Sequence, residues 1–543
     1  MLRKINIILM SFLMMTLTGC SEDFLETKPT DAISAGDALA SPANMKLILN
    51  GLHRYMYAQT GSLPGGSNTF AGEHYFIPMF DVIPGVLIHS APANGWHQAE
   101  LRWIAHTVPT DAMNEQLWFQ RYHFIASCNS IIKKVADDNL VIDEDMSEIL
   151  GQAYAYRAWA YLKLVTSFGK GYLIGNPSTD PGVPLLFSTE APYESQPRST
   201  VQEVYDQIEQ DINQSIAYFQ NATARPTGDP KHKSQININA AYGIKARMAL
   251  SKGDWQTAAD AAVMARDGFP LMDEADWLSG FNTNNLSEVI WGGNVIQTET
   301  TFFRSYFYLV SPTFNGSQNR GNPKLFNKEI YELIPDTDYR KKSVLPLAPN
   351  TNSSASNGEG GSFETDPNYD NEADFEAAYD EIIATYGMTD RHNTHPYMHV
   401  KFLQKNPGTI DPDDVIYMRS SEMYLIEAEA KAMMNDITGA QDALGMLAGA
   451  RDSAFDKTAY GTQQALMDQI KFQWYVELYG EGFGYTNHIR WDEGIDHTNS
   501  GASEVLYQNG FMQERPSVND EWIFKIPQAE IDANPNLTEA DQN

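Results

Sequence analysis

The sequence predicts an all-α fold: a tetratricopeptide-like scaffold of helical hairpins interrupted by long irregular insertions. Two observations predict the scaffold, namely helical periodicity along most of the chain and small residues at the facing positions of paired segments. A third predicts the insertions, since the stretches between pairs are long and rich in aromatics and amides.

Apolar residues recur at i, i+3, i+4 and i+7 in 43–58, 114–136, 145–168, 200–219, 235–252, 255–267, 421–435, 438–452 and 462–480, the pattern of helices with one apolar stripe. The clearest pair is 235–267. There Leu250, Gly253, Trp255, Ala258, Ala262 and Ala265 fall near the positions at which a tetratricopeptide repeat lets antiparallel helices approach closely. Ala428, Ala430, Ala432, Ala440, Ala443 and Leu447 repeat the logic, and 145–168 with 200–219 forms a third pair split by an insertion. Stacked hairpins of this kind bury one another's faces. The intervening stretches, 59–113, 169–199, 268–330 and 337–416, are too long for simple connections. Within them 353–376 is Gly/Ser/Asn-rich and acidic, which predicts a mobile surface excursion.

The chain has 543 residues, 42% hydrophobic and 20% charged, a composition that excludes overall disorder. Its 38 Lys and Arg against 70 Asp and Glu give a net charge of −32. That field repels phosphate backbones and anionic head groups, so nucleic acid is excluded as a partner and a neutral ligand is favoured.

Residues 1–20 place Arg3 and Lys4 before an apolar run that ends in Leu17-Thr18-Gly19-Cys20. This is a secretory signal in length and order. Its end resembles the lipobox of bacterial lipoproteins, which predicts a signal peptide over 1–19, lipidation of Cys20, a tether over 20–42 and one domain over 43–543. Hairpins are expected around 145–219, 235–267 and 418–480. Ser21-Glu22-Asp23 resembles the acidic tract that sends lipoproteins to the outer face of the outer membrane in certain glycan-feeding Gram-negative bacteria. The other cysteine, Cys128, lies in an apolar helical stretch and is expected as a buried packing thiol with no disulfide.

Other groups have structural explanations. His392, His395 and His399 are expected as polar loop histidines, since Pro396 and the lack of a carboxylate in register argue against a metal. Asp411, Asp413 and Asp414 are expected to cap a helix containing Arg419. Arg419 and Glu422 suit an i, i+3 ion pair, and Asn534-Pro535-Asn536 reads as a turn. No G-x-S-x-G, H-E-x-x-H or glycine-rich phosphate loop is present, so no catalytic residue, metal or cofactor is assigned.

AYAYRAWAYLKLVTSFG at 153–169, followed by Gly182-Val183-Pro184-Leu185, resembles the SusD-like (SusD/RagB) outer-membrane lipoproteins. STVQEVYDQIEQDI at 199–212, MRSSEMYLIEAEAKAM at 418–433, VELYGEGFGYTNHIRW at 476–491 and IPQAEIDANPNLT at 526–538 agree in order, so the likeness spans nearly the whole chain. The resemblance implies four tetratricopeptide-like hairpins acting as scaffold, long irregular insertions that carry ligand binding, no enzymatic activity, and a surface-exposed lid on a SusC-like, TonB-dependent transporter that captures oligosaccharides. The chain departs from the family at Glu481-Gly482-Phe483-Gly484 and Asn487-His488-Ile489-Arg490-Trp491, which bears on local salt bridges and not on the fold. A peptide ligand, a pure adaptor and, less favoured, a glycoside hydrolase stay open as alternatives.

A sugar offers an apolar C–H face and hydroxyl edges, so its site needs flat aromatic platforms beside amides, carboxylates or guanidiniums. The 70–103 stretch supplies Phe70, Glu73, Tyr75, Asp81, His89, Asn94, Trp96, His97 and Trp103. Trp96, flanked by Asn94 and Gly95, is the leading platform. The 292–322 stretch supplies Phe302, Phe303, Tyr306, Tyr308 and Arg320, with Phe302 and Phe307 expected inside. The candidate ligand set is Tyr75, Asp81, Asn94, Trp96, Phe303, Tyr306 and Arg320.

Overall fold

The structure, a computed structural model, describes residues 38–58, 72–90, 97–187, 194–352, 361–501 and 520–543. The expected signal segment and Cys20 lie outside the described residues. The described chain runs through α1 (Pro42–Tyr55), α2 (Glu73–Val82), α3 (Ala112–Asp137), α4 (Glu144–Phe168), α5 (Val201–Asn221), α6 (Ile238–Lys252) and α7 (Trp255–Ala265). It continues through α8 (Tyr306–Val310), α9 (Glu372–Tyr386), α10 (Ser420–Met433), α11 (Ile437–Arg451), α12 (Gln463–Leu478), α13 (Gly484–Trp491) and α14 (Gln528–Ala533).

The helix boundaries are written in the sequence. Asp143 accepts from the Met146 amide to start α4, Thr200 and Glu203 close a reciprocal capping box on α5, and Asn237, Asp254, Asp436 and Thr462 cap α6, α7, α11 and α12. Each such cap contributes about 1 kcal/mol. Successive helices pack in an unbroken stack, α3 on α4, α4 on α5, α5 on α6, α6 on α7, α7 on α10, and α10 on both α11 and α12. The small residues make this close approach feasible. Ala258, Ala262, Ala265, Ala428, Ala430, Ala432, Ala440 and Ala443 are buried in the seams, and a Cβ at Gly151 would stand 2.9 Å from the Phe219 ring where α4 meets α5. Cys128 is buried, and burial pushes its thiol up.

The irregular half is organised by short strands. β1 (Leu87–His89), β3 (Lys324–Phe326), β5 (Met398–His399) and β4 (Val344–Leu345) form an antiparallel sheet in that order, with Leu87 opposite Phe326. β2 (Val289–Gly293) pairs with β6 (Val415–Arg419). A small separate core of Ile88, Leu325, Ala348, Met388 and Met398 packs against Ile382, Ile383 and Tyr386 of α9.

Four expectations are corrected. The excursion at 353–376 runs into α9, whose first turn is capped by Asn371; residues 353–360 lie outside the described set. Asp413 and Asp414 cap no helix, because they accept from the amides of Lys405, Asn284 and Val295 and so brace the approach to β6. Arg419 ends a strand and does not pair with Glu422, which is held bidentately by Arg247 at 2.6 and 2.8 Å. His399 is buried in β5 and is not a loop group, whereas His392 does lie in a loop, buried and bonded to Thr389 and the Phe314 carbonyl. The Asn534-Pro535-Asn536 turn forms, its two asparagine amides donating to the carbonyls of Gln196 and Ser195.

A buried charge network joins the two halves. Glu477 on α12 accepts from Arg340 (2.8 Å), Arg419 (2.5 Å), Arg451 (3.1 Å) and the Trp277 indole (3.2 Å). Glu288 beside β2 holds Arg419 and Arg451, Asp338 holds Arg340, and Glu481 holds Arg419 and Lys401. Burial raises the Glu477 carboxyl, but the guanidiniums of Arg451, Arg419 and Arg340 outweigh it and hold the group well below the usual glutamate value. Removing one partner of a buried pair leaves uncompensated charge. Glu477→Gln is therefore expected to cost about 3–5 kcal/mol of stability in chemical denaturation. A depressed carboxyl contributes fully above its unfolded value of about 4.5 and loses that contribution as pH falls through its folded value. The wild type should accordingly lose stability below about pH 4.5 more steeply than the variant; parallel profiles would remove Glu477 as the acid-sensitive group.

Candidate functional site

The two aromatic stretches meet in space. Every residue of α2 is buried, as for a helix enclosed on all sides, and its ends are fixed by charge. Glu73 pairs with Arg121 and, at 3.2 Å, with Lys163. At the other end Asp81 accepts from the amides of Gly482 (2.8 Å) and Gly484 (2.7 Å). α8 packs on α2, and His74 Nε2 donates to the Arg304 carbonyl at 2.9 Å.

That bond holds the turn leading into α8. Arg304 has φ +62° and His97 φ +65°, left-handed conformations that disfavour non-glycine residues and persist only where surroundings over-determine them. The Arg304 guanidinium lies 5.4 Å from the Tyr75 ring and 5.6 Å from the Phe303 ring. Tyr75 in turn stands 4.7 Å from His97, and Phe303 stands 5.4 Å from Tyr308. The outcome is a ladder running His97, Tyr75, Arg304, Phe303, Tyr308, with the cation between aromatic faces. Phe303 is half-buried and its neighbour Phe302 is 42% exposed. Such an edge offers a planar apolar face backed by a fixed cation.

The expected ligand residues divide sharply. Tyr75 and Phe303 are brought together by Arg304. Tyr75 is only 2% exposed, so it supports the ladder from behind and does not face solvent. Asp81 and Tyr306 are buried and fully engaged, the Tyr306 hydroxyl donating to the Gly480 carbonyl at 2.8 Å; both are corrected from ligand contacts to positioning groups. Arg320 is half-buried, donates to Asn315 Oδ1 at 3.2 Å and is not part of the ladder. Phe70, Asn94 and Trp96 lie outside the described residues. Phe307 is buried as expected, whereas Phe302 is not. His89 and Trp103 are interior, Trp103 donating to the Ile83 carbonyl. Arg304 was not singled out by sequence reasoning, although a lone cation inside TFFRSYFY was a usable signal. Among the described residues no group of three or more His, Cys, Asp or Glu is placed to hold a metal ion.

Asp81 and Tyr306 converge on one turn, residues 480–484. Gly480 and Gly482 have φ +80° and +86°, and a Cβ on Gly482 would approach the Ile77 carbonyl to 2.9 Å, so the turn needs glycine there. Glu481 between them is clasped by Arg419 and Lys401. The departure from the family's pattern in this block therefore leaves salt bridges intact, and Arg490 also pairs with Glu429. Burial raises the Asp81 carboxyl to about 6, against the lowering by the Gly482 and Gly484 amides. Its folded value lies above its unfolded value, so its contribution to stability declines as pH rises from about 4 to 6. Asp81→Asn should abolish that share of the pH dependence in thermal melts between pH 4 and 6; an unchanged slope would mean that Asp81 does not titrate there.

Residues 23–250 match a family model described as starch-binding associating with outer membrane, and residues 328–543 match one described as the SusD family. A SusD-like protein of Formosa agariphila is 22% identical over 566 residues, covering 99% of this chain and 98% of its own. A SusD-like carbohydrate binding protein of Bacteroides vulgatus superposes with a TM-score of 0.69 at 21% identity, covering 92% of this chain and 98% of that one. Surface glycan-binding protein A of Bacteroides fluxus gives 0.63 at 16% identity over 93% and 99%. The solved structures share the helical fold, the two family models span both ends of the sequence, and the chain belongs to the SusD family.

Proposed function

We propose that this chain is a lipid-anchored protein of the cell surface that binds oligosaccharides and delivers them to a SusC-like, TonB-dependent outer-membrane transporter without altering them. The observation that carries the reading is the ladder edge, where the Arg304 guanidinium is fixed between the rings of Tyr75 and Phe303 and the adjoining Phe302 is exposed. A pyranose laid on such a ring buries its C–H face while its hydroxyls reach polar neighbours. The relatives named as carbohydrate-binding and glycan-binding support the ligand class, and the net charge of −32 favours a neutral glycan. Cys20 supplies the anchor, and Trp96, Asn94 and Phe303 make up the proposed ligand set.

A glycan array probed with the soluble form lacking Cys20 identifies the sugar, with no release of reducing ends. Trp96→Ala and Phe302→Ala are each expected to weaken binding of that sugar by about 1–3 kcal/mol in isothermal titration. Unchanged affinity in both would take the aromatic edge out of the site. Labelled palmitate should enter the wild type and not Cys20→Ala.

A further inference from the structure

A second cleft, of about 320 Å³, lies where α3, the 184–186 segment, residues 194–196 and α14 come together. None of these elements contributes to the ladder. Its volume falls at the lower end of the range usual for small-ligand sites, about 300–1,000 Å³.

Trp118, only 1% exposed, backs the cleft, and its uncovered aromatic surface comes from Phe119 and Tyr122. Trp118 donates from its indole to Glu530 at 3.3 Å and packs 5.0 Å from Tyr122, whose hydroxyl donates to the Pro184 carbonyl at 2.8 Å. Phe119 and Tyr122 are half-buried, so each keeps part of a ring uncovered. Glu530 is fixed in turn by Asn534, which donates to it at 3.0 Å. The rim differs, because the side chains of Glu194 and Gln196 make no hydrogen bond or ion pair among the described residues. Flat apolar rings, with a carboxylate and an amide at the mouth, supply both halves of what a sugar ring requires.

We infer that this cleft is a second binding site, for a neutral hexopyranose unit. Two carboxylates, Glu194 and Glu530, line it, and they repel an acidic sugar. The ligand class rests on the glycan-binding reading above, whereas the location does not.

The test is saturation-transfer NMR on the purified full-length chain in detergent, with the methyl pyranosides of glucose, galactose and mannose and with galacturonate as charged probe. At least one neutral probe should show transfer that persists in Phe302→Ala and falls about tenfold in Phe119→Ala. The same loss is expected in Gln196→Ala, which alters a half-buried rim side chain without a side-chain partner among the described residues and so spares the core. Galacturonate should show no transfer that Gln196→Ala removes. Transfer that disappears in Phe302→Ala but survives Phe119→Ala and Gln196→Ala would uphold the first site and overturn the second. Absence of transfer from all three neutral probes, or galacturonate binding at this cleft, would overturn it as well.

Discussion

Glu477 is the point at which the structure commits itself. Three guanidiniums and an indole converge on this one buried carboxylate, drawn from segments far apart in the chain. Burying so many charges is costly, and the arrangement persists only because each finds its partner. A wrong packing of β2, β6, α11 or α12 would strand an arginine or a glutamate in the interior. The network therefore acts on the choice of one arrangement more than on raw stability, with the hydrophobic seams of the hairpins supplying the latter.

The consequence reaches the ligand edge through the 480–484 turn. Arg419 and Lys401 grip Glu481, the neighbouring glycine amides grip Asp81 at the end of α2, and the Gly480 carbonyl takes the Tyr306 hydroxyl of α8. α2 carries Tyr75, and Arg304 and Phe303 lie directly before α8. Apart from His97, the ladder is thus assembled from two elements fastened to one turn, which is fastened to the charge network. A binding edge on rigid elements with a supporting shell keeps its geometry better than one on free loops. It also explains why the strained backbone at Arg304 and His97 is tolerated.

The hairpin scaffold was legible because its signals are local. Helical periodicity, a capping residue and alanine at facing positions each act within a few residues, so the expected 145–168 segment lies within a residue of α4 at its start. The ion pairs were not legible in the same way. Arg419 and Glu422 sit at a spacing that suits a helix, yet the strand ends at Arg419 and each side chain takes a partner more than fifty residues away. Asp81 and Tyr306 carry chemistry that suits a sugar, and that chemistry serves equally well to satisfy buried backbone groups. α9 was masked by the Gly/Ser-rich run before it, although EADFEAAYDEIIATY carries good helix formers behind an asparagine cap.

The fastening role of the turn is tested most directly by hydrogen exchange on the full-length chain with and without Arg419→Ala. Freed from Arg419, the turn should release α2 and the 302–310 segment, whose amides are expected to exchange about tenfold faster while those of α4 and α5 keep their protection. Equal acceleration throughout the chain, or unchanged protection in 73–82 and 302–310, would contradict it.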